Sequence, residues 1–269
     1  RVIDVGIAEA EAVASAAGMA YQGAHPVVAL YATFLNRGFD QLLMDVALHR
    51  AGVTVVLDRA GVTGADGASH NGVWDIAMCS MVPGLRLAAP RDEQTLRARL
   101  REALDVDDAP TVIRYRKGSL PEPMPALRSV GGVDILFDEA VADSPARVLI
   151  VGTGACAPDA IEAARRLAAA GVSVTVADPQ WMIPICPELA TLVRDYDCVV
   201  TVEEGIVQGG FGWSLRDAVA ETGVPVRCLG VPQEFPEHGE RAAMIAQFGF
   251  DADGIERAAR ELVERIGER

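Results

Sequence analysis

Several things are scarce in this sequence, and each shortage removes a class of protein. There are five cysteines (Cys79, Cys156, Cys186, Cys198 and Cys228) and no C-x-x-C pair. An odd, scattered set argues against a disulfide framework or a zinc knuckle and points to reduced thiols, hence to the cytoplasm. The four histidines, His25, His49, His70 and His238, stand too far apart to form a local metal cluster. Basic residues are in deficit: 24 Lys and Arg against 38 Asp and Glu leave a formal charge of −14. That balance opposes binding to nucleic acid or to an anionic membrane, since both need a cationic face. No apolar run reaches the roughly 18–20 residues of a membrane span. The opening RVIDVGIAEAEAV lacks a charged-then-apolar leader and reads as a chain already in mid-domain. Internal repeats and low-complexity tracts are missing too.

What is present is core-forming material. Half of the 269 residues are hydrophobic and 23% are charged, a composition that folds, at a length suited to one large domain or two ordinary ones. Short apolar runs recur at 26–31, 53–58, 85–88 and 111–115, and again at 147–151, 172–177, 198–202 and 225–229. Helix-length amphipathic stretches at 39–50, 92–104, 158–170 and 253–266 fall between or after them. Continuous apolar strands alternating with helices are the pattern of mostly parallel sheets covered on both faces. Asp92 is placed to cap its helix, Pro158 to open one and Gly171 to end it. Residues 118–145 hold PEPMP, a Gly-Gly pair and one strand-like patch at 133–137, which reads as a linker. The expected organisation is two doubly wound α/β domains, 1–120 and 146–269, joined by 121–145.

In open α/β sheets, ligands bind beyond the carboxyl ends of the strands, so the loops there carry the chemistry. Two such loops, YATFLNR and DRAGVTGADGASHNG, gather Tyr31, Phe34, Arg37, Arg59, Asp66 and His70. Each alone has a plain reading as solvated loop polarity; their concentration at two strand ends favours a site. Glu9 follows an apolar segment and opens an alanine-rich helix running to about Ala20. A first-turn carboxylate can simply answer the helix dipole, or, buried beside a ligand nitrogen, hold a proton there. Glu11 is read as surface. In the second half, Gly152-x-Gly154-x-x-Ala157 between a strand and a helix, with Asp178 ending the next strand, has the form of a dinucleotide fingerprint; an ordinary tight turn has it too. Glu203-Glu204 and the QGGFG stretch follow another strand and either meet a partner or turn the chain.

Taken together, DVGIAE, YATFLNRGFDQ, DRAGVTGADGASHNG and AAPRDEQTLR resemble stretches of the 1-deoxy-D-xylulose-5-phosphate synthases, thiamine-diphosphate enzymes of the transketolase superfamily. WMIPI, TVEEG and VPQEFPEHG extend the resemblance, in its actinobacterial form, over the whole chain. The resemblance implies a pyrimidine-binding domain followed by the superfamily's C-terminal domain. It makes Glu9 the carboxylate bonded to N1′ of the aminopyrimidine, Phe34 the ring stacked on it, and Arg37 a further cofactor contact. Tyr31, Arg59 and Lys117 would hold the acceptor phosphate; Lys117 stands where many members carry arginine, so a point charge replaces a fork. Asp66 and His70 would act on the donor-derived group or the acceptor. The implied reaction is the decarboxylative condensation of pyruvate with D-glyceraldehyde 3-phosphate, an entry to isoprenoid precursors. A homo-oligomer is expected.

Two departures from the family pattern stand out. Ala10-Glu11 replaces the usual Gln-His after the glutamate, which leaves room for a specialised paralogue or a non-catalytic scaffold. The family's G-D-G…N motif for Mg2+ and diphosphate has no counterpart here. Both groups are therefore expected on an N-terminal thiamine-diphosphate-binding domain, with this chain silent by itself. A β-type subunit of a split transketolase or of a 2-oxoacid dehydrogenase is the runner-up; Arg59 with the Asp66…His70 loop suits an aldose phosphate better than a lipoyl arm.

Overall fold

The computed structural model describes residues 1–119 and 121–268; Leu120 and Arg269, the last residues of the two expected domains, lie outside the described residues. The first set of apolar runs forms β1 (Val27–Tyr31), β2 (Thr54–Asp58), β3 (Arg86–Ala88) and β4 (Thr111–Arg114). All pair in parallel, in the order β1-β2-β4-β3. Around them lie α1 (Glu9–Ala20), α2 (Phe39–Gln41), α3 (Asp75–Ser80) and α4 (Glu93–Leu104).

Helix α1 buries Ala12, Val13, Ala16 and Ala17, small residues that let it lie close to its neighbours. A Cβ on Gly38 would come within 3.2 Å of the Glu9 carbonyl and 3.1 Å of Val13, so glycine allows α2 to begin against α1. The stretch expected as one helix over 39–50 is α-helical only through Gln41. It continues as a π-helix over Leu42–Ala47, where Leu48 N–H reaches Leu43 O and Ala51 N–H reaches Val46 O. Asp92 caps α4: it accepts from Thr95 N–H at 2.8 Å, while Asp92 N–H donates to Thr95 Oγ1 at 3.1 Å.

The second sheet is larger than expected. It contains β5 (Arg128–Val130), β6 (Val133–Glu139), β7 (Arg147–Gly152), β8 (Ser173–Pro179), β9 (Cys198–Ile206) and β10 (Val226–Val231), in the order β10-β9-β7-β8-β6-β5. Its helices are α5 (Ala157–Ala169), α6 (Pro187–Leu192), α7 (Phe211–Ala218), α8 (Arg241–Phe248) and α9 (Ala252–Gly267). Residues 121–145, read from sequence as a linker, therefore need correction. They carry β5 and the whole of β6, an antiparallel hairpin that adds to β8 as an antiparallel edge. The Gly131-Gly132 pair is its turn, with φ of +52° and +87°, the left-handed backbone a two-residue hairpin requires. Glycine density marked a turn within the sheet.

The two sheets share their packing. One cluster of buried side chains runs from Val13, Val55 and Leu87 to Leu149, Val199 and Phe211. Backbone joins them as well, Leu87 N–H to Ile183 O at 3.0 Å and Met182 N–H to Leu87 O at 2.7 Å. The five cysteines are unpaired, and burial pushes the Cys79 and Cys156 thiols well up from their ordinary value. Among the described residues no helix is long and apolar enough to cross a membrane.

Candidate active site

The carboxyl ends of β1 and β2 deliver most of the expected residues to one place. Tyr31 is the last residue of β1, and the 3-10 turn Ala32–Arg37 that follows puts Phe34 and Arg37 on the same side. Tyr31 and Phe34 stack with ring centroids 6.1 Å apart, and the edge of His70 meets Phe34 at 5.5 Å. Two guanidiniums cover this aromatic strip: Arg59 lies 4.1 Å from the Tyr31 centroid and Arg37 4.7 Å from that of Phe34. Arg37 also faces Glu9, with Nη1 3.9 Å from Oε2. The Glu9 side chain is only 12% exposed and accepts no hydrogen bond among the described residues. Glu9, Arg37, Phe34, His70, Tyr31 and Arg59 thus form one chain of contacts across the ends of two strands. Ala10 and Glu11, which replace the expected Gln-His pair, are both exposed on the first turn of α1.

The loop 59–72 that brings Arg59, Asp66 and His70 is held from inside by Asn71, which is fully buried. Its Oδ1 accepts from Thr63 N–H at 2.8 Å and Gly64 N–H at 3.3 Å, and its Nδ2 donates to Gly67 O at 3.1 Å. Thr33 Oγ1 donates to Ser69 O at 2.9 Å, pinning the loop to the Phe34 turn. Ser69 Oγ lies 2.9 Å from His70 Nδ1, which leaves Nε2 for a ligand. Asp66 and Lys117 are paired with each other, Nζ standing 2.8 and 2.9 Å from the two carboxylate oxygens. The hydrogen bond from Lys117 holds the Asp66 carboxyl below its ordinary value, and Arg59 and His70 act on it in the same direction. The structure thus gives Lys117 a carboxylate partner, so an incoming phosphate would compete with Asp66 for it.

The dinucleotide reading of the second domain does not survive the geometry. Gly154 has φ +51°, and a Cβ there would strike Ala89, 2.8 Å from its carbonyl oxygen. The glycine lets the β7–α5 turn press against the first domain. Asp178 is buried, with Oδ2 2.9 Å from Arg91 Nη1, and too enclosed for a ribose to reach it. The Glu203-Glu204 pair divides its work. Glu203 caps α7 by accepting from Phe211 and Gly212 N–H, each at 2.8 Å, and burial pushes its carboxyl up to about 7. Glu204 reaches into the first domain, where Oε1 accepts from Val62 N–H at 2.9 Å.

Further buried charges escaped the sequence reading. Arg114 forks onto Asp75 at 2.7 and 3.2 Å and donates to Glu204 O at 3.0 Å. Arg91 lies between Asp134 at 2.7 Å and Asp178. A signal existed: Asp75 in VWDIAM, Arg114 in TVIRY and Asp134 in VDILF are lone charges in apolar runs, and buried charges require partners. Between the domains, over β3 and β4, opens a cavity of about 310 Å3 lined by Pro90, Leu96, Arg116, Pro121 and Pro158 among others. None of the aromatic cluster's residues lines it. Among the described residues no three His, Cys, Asp or Glu side chains gather into a group able to hold a metal ion.

The comparisons with known proteins agree with this architecture. Residues 1–123 match the family "Transketolase, pyrimidine binding domain" and residues 140–255 match "Transketolase, C-terminal domain". The chain is 53% identical over 260 residues to a 1-deoxy-D-xylulose-5-phosphate synthase of Corynebacterium glutamicum strain R, covering 95% of this chain and 41% of that protein. It is 52% identical over 271 residues to 1-deoxy-D-xylulose-5-phosphate synthase 2 of Streptomyces avermitilis, covering all of this chain and 42% of that one. The chain therefore spans about two fifths of these relatives' length. Among solved structures, a split-gene transketolase described as an inactive beta4 tetramer superposes with a TM-score of 0.82 at 27% identity, over 97% of this chain and 83% of that one. A transketolase from Leishmania mexicana, at 21% identity and a TM-score of 0.78, covers 97% of this chain and 38% of that one, and shares the fold.

Proposed function

The chain belongs to the transketolase family, homologous to the C-terminal part of the 1-deoxy-D-xylulose-5-phosphate synthases, and from that premise we propose that it forms the pyrimidine-side wall of such a synthase's active site. The observation that carries the reading is Glu9: a nearly buried carboxylate that accepts no hydrogen bond among the described residues and is joined through Arg37 to the Phe34 ring. A buried carboxylate lacking a donor beside a half-buried aromatic fits an aminopyrimidine, which offers a ring face and a nitrogen able to carry a proton. When bound, thiamine diphosphate supplies the nucleophilic centre that takes up pyruvate with loss of CO2. Glu9 would hold a proton at the ring's N1′, and Phe34 would offer its face to the ring. We assign Mg2+ and the diphosphate to the part of the relatives' length that this chain does not span.

Acceptor binding falls to the cationic end of the cluster. Arg59 can turn from the Tyr31 face to grip a phosphate with its fork. Lys117 adds a point charge once the phosphate displaces Asp66, and the released Asp66 and His70 stand over the aldehyde end to orient it and move a proton. These residues gain their effect by position, since a bound and aligned acceptor converts a two-body encounter into an intramolecular step. The substrates in this reading are pyruvate and D-glyceraldehyde 3-phosphate, and the working form is an oligomer completed by a diphosphate-binding domain. The likeness to a split-gene transketolase chain described as inactive supports the view that this portion alone is silent.

The test uses the complete synthase. Glu9→Ala is expected to lower formation of 1-deoxy-D-xylulose 5-phosphate by roughly 100-fold or more, the usual scale of a lost acid–base group. The thermal transition should stay near that of the wild type. A variant that retains more than a third of wild-type turnover would remove Glu9 from this role and the reading with it.

A further inference from the structure

The loop that would hold the acceptor is not held by its own domain alone. Its first limb is tied by three consecutive amides: Ala60 N–H to Tyr115 O at 2.9 Å, Gly61 N–H to Gly72 O at 2.8 Å, and Val62 N–H to Glu204 Oε1 at 2.9 Å. The third bond crosses to the second domain, onto the end of β9, and Glu204 is 2% exposed. The carboxylate cannot swing away. Arg241, at the start of α8, grips it with Nε on Oε1 at 3.0 Å and Nη2 on Oε2 at 2.7 Å, while Arg114 holds the Glu204 carbonyl. Two glycines record how closely the loop leans on this device. A Cβ on Gly61 (φ +83°) would lie 2.4 Å from Glu204 Cδ, and one on Gly64 (φ +61°) would lie 2.4 Å from Gly239 O and 2.9 Å from Arg241 N.

We propose that Glu204 is a positioning residue for the phosphorylated acceptor: through the Val62 amide it sets the height of loop 59–72, and thereby of Arg59, Asp66 and His70, with Arg241 fixing the direction of its carboxylate. The inference rests on the proposed function and adds to it a task for the C-terminal domain. It also predicts selectivity. The groups assigned to the cofactor, Glu9 and Phe34, ride on α1 and the turn after β1, so loss of the Glu204 bond should reach the acceptor and spare pyruvate.

The experiment takes the complete synthase as wild type, Glu204→Ala, Glu204→Gln and Arg241→Lys, and measures both Michaelis constants, amide exchange at residues 60–64 and the thermal transition. Glu204→Ala is expected to raise the KM for D-glyceraldehyde 3-phosphate about tenfold or more, the effect of losing a buried charge-assisted hydrogen bond. The KM for pyruvate should stay within about twofold, and exchange at Val62 should accelerate together with the acceptor defect. Glu204→Gln keeps an oxygen for Val62 N–H and should fall between wild type and alanine. Arg241→Lys loses the fork but leaves the carboxylate, and should shift the acceptor KM in the same direction by less, so the inference stays open to refutation if Glu204→Ala does not fold. Equal rises in the two KM values would assign Glu204 to general stability and overturn the proposal, as would an unchanged acceptor KM alongside accelerated exchange. A wild-type enzyme unable to join the two substrates overturns the functional reading, and the acceptor role with it. A wild type that turns over normally beside an unaltered Glu204→Ala variant overturns this inference alone.

Discussion

Removing the Asp75 carboxylate is the severest test of how the two domains are joined. Asp75 is fully buried and opens α3, where Oδ1 also accepts from Ile76 N–H at 2.9 Å. Its fork partner Arg114 has a side chain only 6% exposed, and the same guanidinium donates across the seam to Glu204 O. In Asp75→Ala the guanidinium stays charged, because arginine does not release its proton in a protein, and it is left nearly buried without its carboxylate. Breaking a buried pair from one side typically costs about 3–5 kcal/mol. For a chain of this size each kcal/mol lowers the melting temperature by about 2–4 °C, so the transition should fall by roughly 6–20 °C. Calorimetry at pH 7 reads this directly. The control is Asp75→Leu with Arg114→Met, which removes both charges and fills the space with apolar groups; it should recover more than half of the loss, the Glu204 carbonyl and the Ile76 amide being the groups that lose a partner. A melting temperature for Asp75→Ala within about 2 °C of wild type, or a double variant as unstable as the single one, would refute the claim that an uncompensated buried charge sets the cost.

Stability should also fall as pH rises from about 5 to 7. Burial pushes Asp178 and Glu203 up to about 7 from ordinary values of 3.8 and 4.5. Across that interval the folded chain keeps protons that the unfolded chain has released, so unfolding releases protons and is favoured by raising the pH. For Asp178 burial outweighs the opposing pull of Arg91, a guanidinium it shares with Asp134. Urea midpoints at pH 5, 6 and 7 should fall in that order, and Asp178→Asn should flatten the trend; midpoints that climb would contradict the assignment. Asn71→Ala strands the Thr63 and Gly64 amides and should cost about 1–3 kcal/mol. It should expose 63–70 to limited proteolysis, and unchanged cleavage in that segment would show that other contacts hold the loop.

Much of the frame was legible because it follows from local patterns. Apolar runs such as TVVLD and RVLIV became strands within a residue of their expected limits, because continuous hydrophobicity over about five residues suits a strand covered on both faces. Asp92 capped α4, Pro158 opened α5 in its first turn, and Gly171 after it took φ +91°. The gathering of Tyr31, Phe34, Arg37, Arg59 and His70 was foreseeable too, since each follows one of two neighbouring parallel strands and parallel strands place such loops on one edge. The hairpin at 128–139 was not, because three-residue β5 carries no apolar signal of its own and is stabilised by pairing with β6.

By itself, then, the order of residues determined two α/β layers, the edge on which a site would form and most of the side chains found there, all through spacings of a few residues. Tertiary structure alone decided what each buried charge is for. Val62 and Glu204 lie 142 positions apart, Arg91 and Asp178 87 apart, Asp75 and Arg114 39 apart. Nothing within such an interval announces the partner. A carboxylate acquires its meaning from the one donor within about 3 Å of it, and only packing the two domains together sets that distance.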